Sequence, residues 1–241
     1  MGVQRASLAI VAVSVLAGCG VSVTPPGAVP TQWGDEASPI PIPSEVPRSE
    51  LGFTERQVAA VRIHNDGCEY LGTGSGFAID EHTVVTNRHV IEDHSTLTAT
   101  LYDGTPLTIT GSYVSNFGDL GVVTIEQELP SVVELAPEDP ELKDYVRIVG
   151  YPNGEELTVT EGIILNEVDD ELEGEGQVFA TTAEAHPGSS GSAAYDAAGR
   201  VIGVLYAGDD YGLTFIVPVE MLIDLLENAE RKEANKRACT Y

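Results

Sequence analysis

Basic residues are scarce in this sequence, which has 12 Lys and Arg against 38 Asp and Glu and a formal net charge of −26. A nucleic-acid site needs a basic face to neutralise phosphates, so this composition excludes nucleic acid as a partner. The same shortage argues against electrostatic docking on anionic lipid. Aromatic residues are also few, at 6%, but 42% of the chain is hydrophobic, which suffices for a core and excludes disorder along the whole chain.

Long apolar runs are absent except for one that spans residues 6–15 and follows Arg5. This run is too short for an ordinary transmembrane helix but suits the hydrophobic region of a secretory signal. It ends in Leu16-Ala17-Gly18-Cys19, which resembles the lipobox of bacterial lipoproteins. That resemblance implies a signal peptide over 1–18, lipidation of Cys19 with diacylglycerol and an acyl chain such as palmitate, and export to the outer face of the cell membrane. A plain signal peptide cut near Ala17 and a weak membrane helix are the alternatives.

Proline is concentrated in residues 19–48, where few apolar residues are available to form a core. The prolines of this segment are Pro25, Pro26, Pro30, Pro39, Pro41, Pro43 and Pro47. Such a composition favours an extended, partly polyproline tether rather than a packed unit. The predicted organisation is therefore a signal peptide, a tether and one folded domain over 49–241.

The pattern of that domain is typical of a β protein. Short β-branched or alternating runs are separated by turn signals such as Asp103-Gly104 and Asn153-Gly154. They predict strands over 57–63, 76–79, 83–86, 96–102, 107–115, 120–125, 145–150, 157–165, 177–181, 193–195, 201–206 and 213–217. About a dozen strands at this spacing indicate an all-β sandwich or barrels.

The end of the domain changes from a strand period to a helical one. Behind Pro218, apolar residues recur at helical spacing, namely Met221, Leu222, Leu225 and Leu226. They predict a C-terminal α-helix over 218–237.

Three short segments contain the residue types of acyl transfer, in the order His89, Asp119, Ser190. A serine hydroxyl is a poor nucleophile until a base takes its proton, and a neutral imidazole is such a base near neutral pH. A buried carboxylate on the other imidazole nitrogen fixes the tautomer. A glycine at 188 permits a turn that aims the N–H groups of Gly188 and Ser190 at a developing oxyanion. Each residue alone is commonly structural, but together they indicate nucleophilic hydrolysis.

The same segments resemble the chymotrypsin-like serine proteases, especially the bacterial branch that includes the HtrA/DegP proteases and the glutamyl endopeptidases. Residues 86–90 are similar to the family's T-N-x-H-V motif, 119–123 to D-L-A-V-L, and 188–192 to G-N-S-G-G/S. Further similarity lies in 74–77, 149–152 and 201–204.

This resemblance implies two six-stranded antiparallel β-barrels, roughly 49–135 and 136–217, with the site in the cleft between them. It also implies that His89 is the general base, Asp119 its orienting carboxylate and Ser190 the nucleophile, with Gly188 and Ser190 as the oxyanion hole. One departure is Ser189, which stands where the family usually has Asn or Asp. It argues against activation by a new N-terminus that pairs with an aspartate there.

By the same resemblance, a primary specificity pocket is lined by Glu184, Ala185, Tyr206, Ala207, Gly208, Gly212 and Thr214. A carboxylate at the pocket floor would favour Lys or Arg in the substrate. A Glu184 that faces solvent would have no such effect, and both readings stay open. His186 is expected at the pocket rim.

No metal or cofactor is predicted. His64, His82 and His94 lack the spacing of zinc ligands. The acidic clusters at 169–171 and 209–210 fit solvated loops better than calcium sites.

The resemblance also implies a disulfide between Cys68 and Cys239, because tethered periplasmic proteases of this branch can carry cysteines at comparable places. An oxidising compartment would favour this bond. Two buried free thiols are the alternative.

The predicted function is that of an exported, membrane-anchored, trypsin-like serine endopeptidase that acts on protein or peptide substrates. The competing hypothesis is a catalytically inert lipoprotein of the same fold that binds a ligand at the cell envelope. An inert protein has no need to keep His89, Asp119 and Ser190 together, so the enzyme is favoured. An esterase on this fold is a third possibility.

Overall fold

The computed structural model describes residues 52–67, 71–170, 176–209 and 212–235. The predicted signal peptide 1–18, the lipidation site Cys19 and the tether 19–48 lie outside these residues. Cys68 and Cys239, the predicted disulfide partners, lie outside them as well. In the part of the chain that is described, no helix is long and apolar enough to cross a membrane.

Most of the described elements are strands. The first half contains α1 (Glu55–Ala59), β1 (Ala60–Gly67), β2 (Leu71–Asp80), β3 (Thr83–Thr86), α2 (Arg88–Ile91), β4 (His94–Thr100), β5 (Pro106–Leu107), β6 (Ile109–Ser115) and β7 (Gly121–Ile125). The second half contains β8 (Tyr145–Gly150), β9 (Thr158–Asp169), β10 (Gln177–Thr181), β11 (Ala193–Tyr195), β12 (Val201–Gly208), β13 (Thr214–Pro218), α3 (Val219–Glu227) and β14 (Lys232–Ala234). Short 3₁₀ turns occupy Pro152–Gly154 and Ala229–Arg231.

The second half forms the predicted barrel. Its six strands close in the order β10-β13-β12-β11-β8-β9, and the paired strands are antiparallel. Alternate side chains point inward and form its core, including Ile148, Ile164, Phe179, Leu205 and Ile216. The barrel closure leaves no unpaired edge among these strands.

The first half is a sheet of eight strands in the order β14-β6-β7-β3-β2-β1-β4-β5. The predicted fold class is confirmed, but this sheet has two more strands than the six expected. Both extra strands, β5 and β14, are short and lie at the two ends of the strand order. The six longer strands contribute to a core that includes Ile63, Phe77, Val85, Leu120 and Ile125.

The predicted helix over 218–237 is too long. Helix α3 ends at Glu227, and Asn228 is extended, with φ −106° and ψ 112°. After a 3₁₀ turn, β14 pairs antiparallel with β6, from Lys232 opposite Ser115 to Ala234 opposite Tyr113. The apolar helical stripe stops at Leu226, and pairing with the edge of β6 satisfies the backbone that a longer helix would otherwise bond internally.

The predicted strand over 57–63 begins with a helix. Thr54 and Gln57 form a capping box, in which each side chain accepts a hydrogen bond from the other residue's backbone N–H. This box starts α1, and the strand β1 begins only at Ala60.

Candidate active site

Strand register brings His89 and Asp119 together. Strands β3 and β7 are antiparallel, with Thr86 opposite Gly121. His89 follows the end of β3 in α2, and Asp119 precedes the start of β7, so both lie at the same end of this strand pair. The Nδ1 of His89 is 2.5 Å from the Oδ2 of Asp119, and the His89 backbone N–H donates to Oδ1 at 3.0 Å.

His89 and Asp119 differ in how far their side chains are exposed to solvent, and this difference fits different roles for the two residues. Asp119 is only 1% exposed, whereas the side chain of His89 is 43% exposed. Asn87 fixes the backbone of Asp119, because its Nδ2 donates to the Asp119 backbone carbonyl at 2.7 Å. A proton on Nδ1 is therefore held by a buried carboxylate, which leaves Nε2 as the basic nitrogen.

Ser190 lies between β10 and β11 on a tight loop, residues 186–190, here called the serine loop. Its first four residues form a type II turn, closed by the Ser189 N–H donating to the His186 carbonyl at 2.9 Å. Pro187 fits the second position of such a turn, and Gly188, with φ +90°, supplies the left-handed third position. A Cβ on Gly188 would lie 2.7 Å from the Asn153 nitrogen, so a larger residue does not fit.

The carbonyl groups of the serine loop are directed away from its N–H groups. The Pro187 carbonyl accepts from the Asn153 N–H at 2.5 Å, and the Ser189 carbonyl accepts from the Ser192 N–H at 3.0 Å. In a trans peptide the N–H points opposite to the C=O, so the N–H groups of Gly188 and Ser190 face the other way. Among the described residues, neither of these two N–H groups has a hydrogen-bond acceptor.

The histidine segment and the serine loop approach each other over Gly74 of β2. A Cβ on Gly74 would lie 2.5 Å from the side chain of Val90, next to His89, and 3.2 Å from the Ser190 carbonyl. The Ser190 hydroxyl itself donates to the Tyr206 carbonyl at 3.4 Å. Glycine at position 74 thus permits the two segments to lie side by side.

A hollow of about 560 Å³ opens beside Ser190. Six of the seven predicted pocket residues line it: Glu184, Ala185, Ala207, Gly208, Gly212 and Thr214. The other lining residues are His186, Pro187, Ser190, Leu205, Asp209 and Leu213. His186 also lines a second hollow, of about 680 Å³, so the two hollows adjoin at the serine loop.

The side chain of Tyr206 does not line the hollow, contrary to the prediction. Leu205 and Ala207 line it, and a β-bulge in β12 between these two residues leaves the intervening Tyr206 outside the lining. The Tyr206 hydroxyl donates there to Asp170 at 2.9 Å. Asp170 is 6% exposed, so it is not the solvated residue that its acidic neighbours in the sequence suggested.

The other polar candidates are involved in local structure. Asp209 accepts from the Leu213 N–H at 2.8 Å and so closes its own turn. His82 contacts the Ile125 carbonyl through Nδ1 at 3.2 Å. Within the described ranges, no three His, Cys, Asp or Glu side chains are grouped closely enough to hold a metal ion.

Sequence reasoning missed two residues that hold the serine loop. Ser75 is fully buried on β2, and its hydroxyl donates to the Gly188 carbonyl at 2.9 Å. Asn153, with φ +56°, presents its N–H to Pro187. Ser75 lies in the segment 74–77 that resembles the family, and Asn153 directly follows another such segment, 149–152, but the resemblance assigned neither residue a role.

Tyr151, beside this region, is buried between the two halves. Its hydroxyl donates to the Ala60 carbonyl at 3.2 Å, and the Arg62 guanidinium lies 4.7 Å from its ring centre. Burial raises the pKa of Tyr151 to about 12. The phenol therefore stays neutral, and it joins the halves as a hydrogen-bond donor.

A closed six-stranded barrel beside a second sheet, with a His–Asp pair on the sheet and a serine on a tight turn of the barrel, defines the chymotrypsin-like class of fold. The active form of the Rv3671c protease from M. tuberculosis is similar, with a TM-score of 0.65 and 22% identity over 76% of this chain and 84% of that one. The serine endoprotease from Yersinia pestis gives a TM-score of 0.60 and 24% identity over 73% of this chain and 66% of that one. Likeness at these identities establishes the fold.

The sequence model described as "Trypsin-like peptidase domain" matches residues 74–204, and the chain belongs to this family. It is 36% identical over 166 residues to a protein of Synechocystis sp. designated serine protease HhoB, which covers 65% of this chain and 40% of that protein. It is 30% identical over 179 residues to a protein of Hahella chejuensis designated a DegP-like periplasmic serine endoprotease, and this match covers 70% of this chain and 38% of that protein. The chain thus matches about two fifths of the length of these relatives.

Proposed function

We propose that the chain is a serine endopeptidase that cleaves peptide bonds through an acyl-enzyme. The observation that carries this proposal is a pair of N–H groups on the serine loop, at Gly188 and Ser190, that have no acceptor among the described residues and lie on the loop of Ser190, near the His89–Asp119 pair. Relatives with serine protease designations support the same activity. The two adjoining hollows leave room for residues on both sides of a cleaved bond.

In the proposed reaction, Ser190 Oγ attacks the substrate carbonyl carbon while Nε2 of His89 takes the hydroxyl proton. The negative charge that develops on the carbonyl oxygen is stabilised by the N–H groups of Gly188 and Ser190. The C–N bond then breaks, and the His89 imidazolium gives its proton to the leaving amine. Water hydrolyses the resulting ester by the same steps, which releases the acid and restores the Ser190 hydroxyl.

This reaction requires the Ser190 hydroxyl to turn from the Tyr206 carbonyl towards His89. Its present bond, at 3.4 Å, is at the long end of the hydrogen-bond range and is therefore weak. Little free energy is lost when it breaks. Asp119 contributes by holding the imidazole in the tautomer that leaves Nε2 unprotonated.

Labelling with a fluorophosphonate probe tests the proposal. The wild-type chain is expected to react at Ser190, and Ser190→Ala is expected to remain unlabelled. Asp119→Asn should lower the labelling rate by roughly 10³-fold or more, because it loses the carboxylate that fixes the tautomer. Ser95→Ala is a matched control, since Ser95 lies at the surface and bonds only to the Asp66 carbonyl among described partners.

A wild-type chain that takes up no probe, or a Ser190→Ala variant that takes up as much, would contradict the proposal. The inert binding protein is then the better description. An esterase would instead be labelled but would turn over simple esters and not peptide amides.

We place the endopeptidase outside the cytoplasm, anchored through Cys19, because the sequence before the tether resembles a lipoprotein signal.

A further inference from the structure

Ser75 contacts the serine loop through its backbone and its side chain at once. Its N–H donates to the Ser190 carbonyl at 2.7 Å. Its hydroxyl donates to the Gly188 carbonyl at 2.9 Å and accepts from the Tyr151 N–H at 2.9 Å. One fully buried side chain of the first sheet therefore links the serine loop to the segment that follows β8.

Gly188 is the residue of the loop that most needs an external restraint. It has no Cβ to limit its φ and ψ, and the crowding by Asn153 described above prevents any other residue from replacing it. The peptide before it is held because the Pro187 carbonyl is bonded to the Asn153 N–H. The peptide after it is held because the Gly188 carbonyl is bonded to the Ser75 hydroxyl. These two bonds restrain the rotations on either side of Gly188.

The two restraints differ in kind. The first comes from a backbone N–H, which every residue except proline supplies. The second comes from a side chain, so it depends on the identity of residue 75. Among the described residues, the Ser75 hydroxyl is the one side-chain group that bonds a serine-loop carbonyl.

We propose that Ser75 is a positioning residue that locks Gly188 in the conformation needed to bind the oxyanion. It touches neither the substrate nor the reacting atoms, and it acts through the direction of the Gly188 peptide groups. Its effect on rate rests on the proposed endopeptidase function. Its effect on the loop conformation does not, so the two can be tested apart.

The catalytic test compares Ser75→Ala and Ser75→Cys with wild type on a peptide amide substrate. For Ser75→Ala, kcat is expected to fall about 10- to 100-fold, less than the loss of a whole oxyanion donor, with KM nearly unchanged. A peptide aldehyde, which forms a tetrahedral adduct with the serine, should bind more weakly by the same factor. Ser75→Cys should recover part of the loss, because a thiol is a weak donor.

Ser192→Ala is the matched control. Ser192 is a fully buried serine nearby, and its hydroxyl has no hydrogen-bond partner among the described residues. Its removal leaves no group unpaired, so kcat and the aldehyde affinity should stay near the wild-type values. Equal losses in Ser192→Ala and Ser75→Ala would mean that any change in this buried region slows the reaction, and this would overturn the proposal.

Hydrogen exchange measured by mass spectrometry tests whether Ser75 restrains the conformation of the serine loop. This test does not require an active enzyme, so it applies even if the chain takes up no fluorophosphonate. The N–H groups of Ser189 and Ser192 are bonded within or next to the serine loop. Their exchange is expected to be at least several-fold faster in Ser75→Ala than in wild type or Ser192→Ala. Unchanged exchange in a folded Ser75→Ala would refute the positioning role, whatever the activity of the wild type. If Ser75→Ala does not fold, the same comparison is made with Ser75→Cys.

Discussion

Two residues without a chemical role determine how closely the histidine and the aspartate approach. Asn87 caps no N–H of α2 with its side chain and instead donates to the Asp119 carbonyl. Gly121 lies against the Asn87 backbone, where a Cβ would be only 2.8 Å from the Asn87 oxygen. A side chain at 121 would push the His89 segment from Asp119, so this glycine is needed for close approach rather than for backbone freedom.

The charge of the hollow beside Ser190 leads to a prediction about substrates. Its lining includes the acidic residues Glu184 and Asp209, and none of the described lining residues is Lys or Arg. We expect peptides with Lys or Arg before the cleaved bond to be preferred over those with Glu by about tenfold in kcat/KM. Glu184→Gln and Asp209→Asn should each reduce this preference by a factor of a few, since partly exposed charges interact by only about 1 kcal/mol.

Glu156→Gln provides the control for this prediction, because Glu156 lines the second hollow and not the one beside Ser190. A peptide-library cleavage profile gives the measurement. Equal cleavage after Lys and after Gln would show that neither carboxylate faces the substrate side chain. The exposed position of Glu184, whose carbonyl accepts from Thr160, makes Asp209→Asn the more informative variant.

The individual site residues differ in how far the sequence could predict them. His89, Asp119 and Ser190 lie in short segments whose residue types and flanking strands indicate their chemistry together. The bond from Ser75 to Gly188 joins residues that are distant in the chain, and a buried serine in a strand has no local pattern that distinguishes it. Tyr206 lies outside the pocket lining because β12 has a bulge at this residue, and the local sequence has no pattern that marks the bulge.

Helix α3 depends on a residue outside itself for its N-terminal cap. Pro218 at its start has no side-chain cap bond, and Asp139 from the connection between the two halves accepts the Glu220 N–H at 3.0 Å. Burial, together with the nearby Glu220 and Glu167 carboxylates, raises the pKa of Asp139 above its usual value. The negative charge of the Asp139 carboxylate therefore lowers the stability of the folded protein.

The upward direction of the Asp139 pKa shift predicts how the stability of the folded protein depends on pH. A carboxyl group with a raised folded pKa binds protons more tightly when folded, so its contribution to stability declines as pH rises from its unfolded pKa through its folded pKa. Asp139→Asn keeps an oxygen acceptor for the Glu220 N–H but cannot ionise. It should be slightly more stable than wild type at neutral pH, by no more than about 0.3 kcal/mol because solvent screens this half-buried carboxylate, and the gain should vanish in acid.

Urea unfolding at several pH values measures this difference. Asp139→Ala is the matched variant, because it removes both the charge and the cap and should be less stable than Asp139→Asn at every pH. A gain for Asp139→Asn that stays constant down to acid pH would show that the charge of Asp139 is not its cause.

Among the elements, the strands with short β-branched or apolar runs bounded by turn residues were predictable, and β3, β8, β10 and β11 match their predicted bounds. The strand β14 was not, because its three residues carry no pattern of their own and it forms only where the edge of β6 is available. The same holds for α1, whose five residues are started by a capping box rather than by an apolar period. Short elements depend on tertiary partners, which sequence periodicity does not report.

The path of the chain brings two distant segments close to His94, at the start of β4. Gly67 at the end of β1 is paired with His94. Asn235, which follows β14, lines a hollow that His94 also lines. The Asn235 side chain donates to the Ile91 carbonyl at 2.8 Å and so holds the C-terminal segment there. Cys68 directly follows Gly67, and Cys239 comes shortly after Asn235.

This arrangement supports the proposal that Cys68 and Cys239 form a disulfide, while Cys19 carries the lipid. In a peptide map of the full-length protein without reductant, the two cysteines should appear in one linked peptide, and the Cys19 peptide should carry acyl chains. Closing so long a loop is worth roughly 4–5 kcal/mol in the chain-entropy model, so Cys68→Ser and Cys239→Ser should each lower stability by a similar amount. Cys19→Ser should lose the acyl chains but keep the linked peptide and the stability of the folded domain. Alkylation of Cys68 and Cys239 in the unreduced protein would refute the disulfide and leave two free thiols.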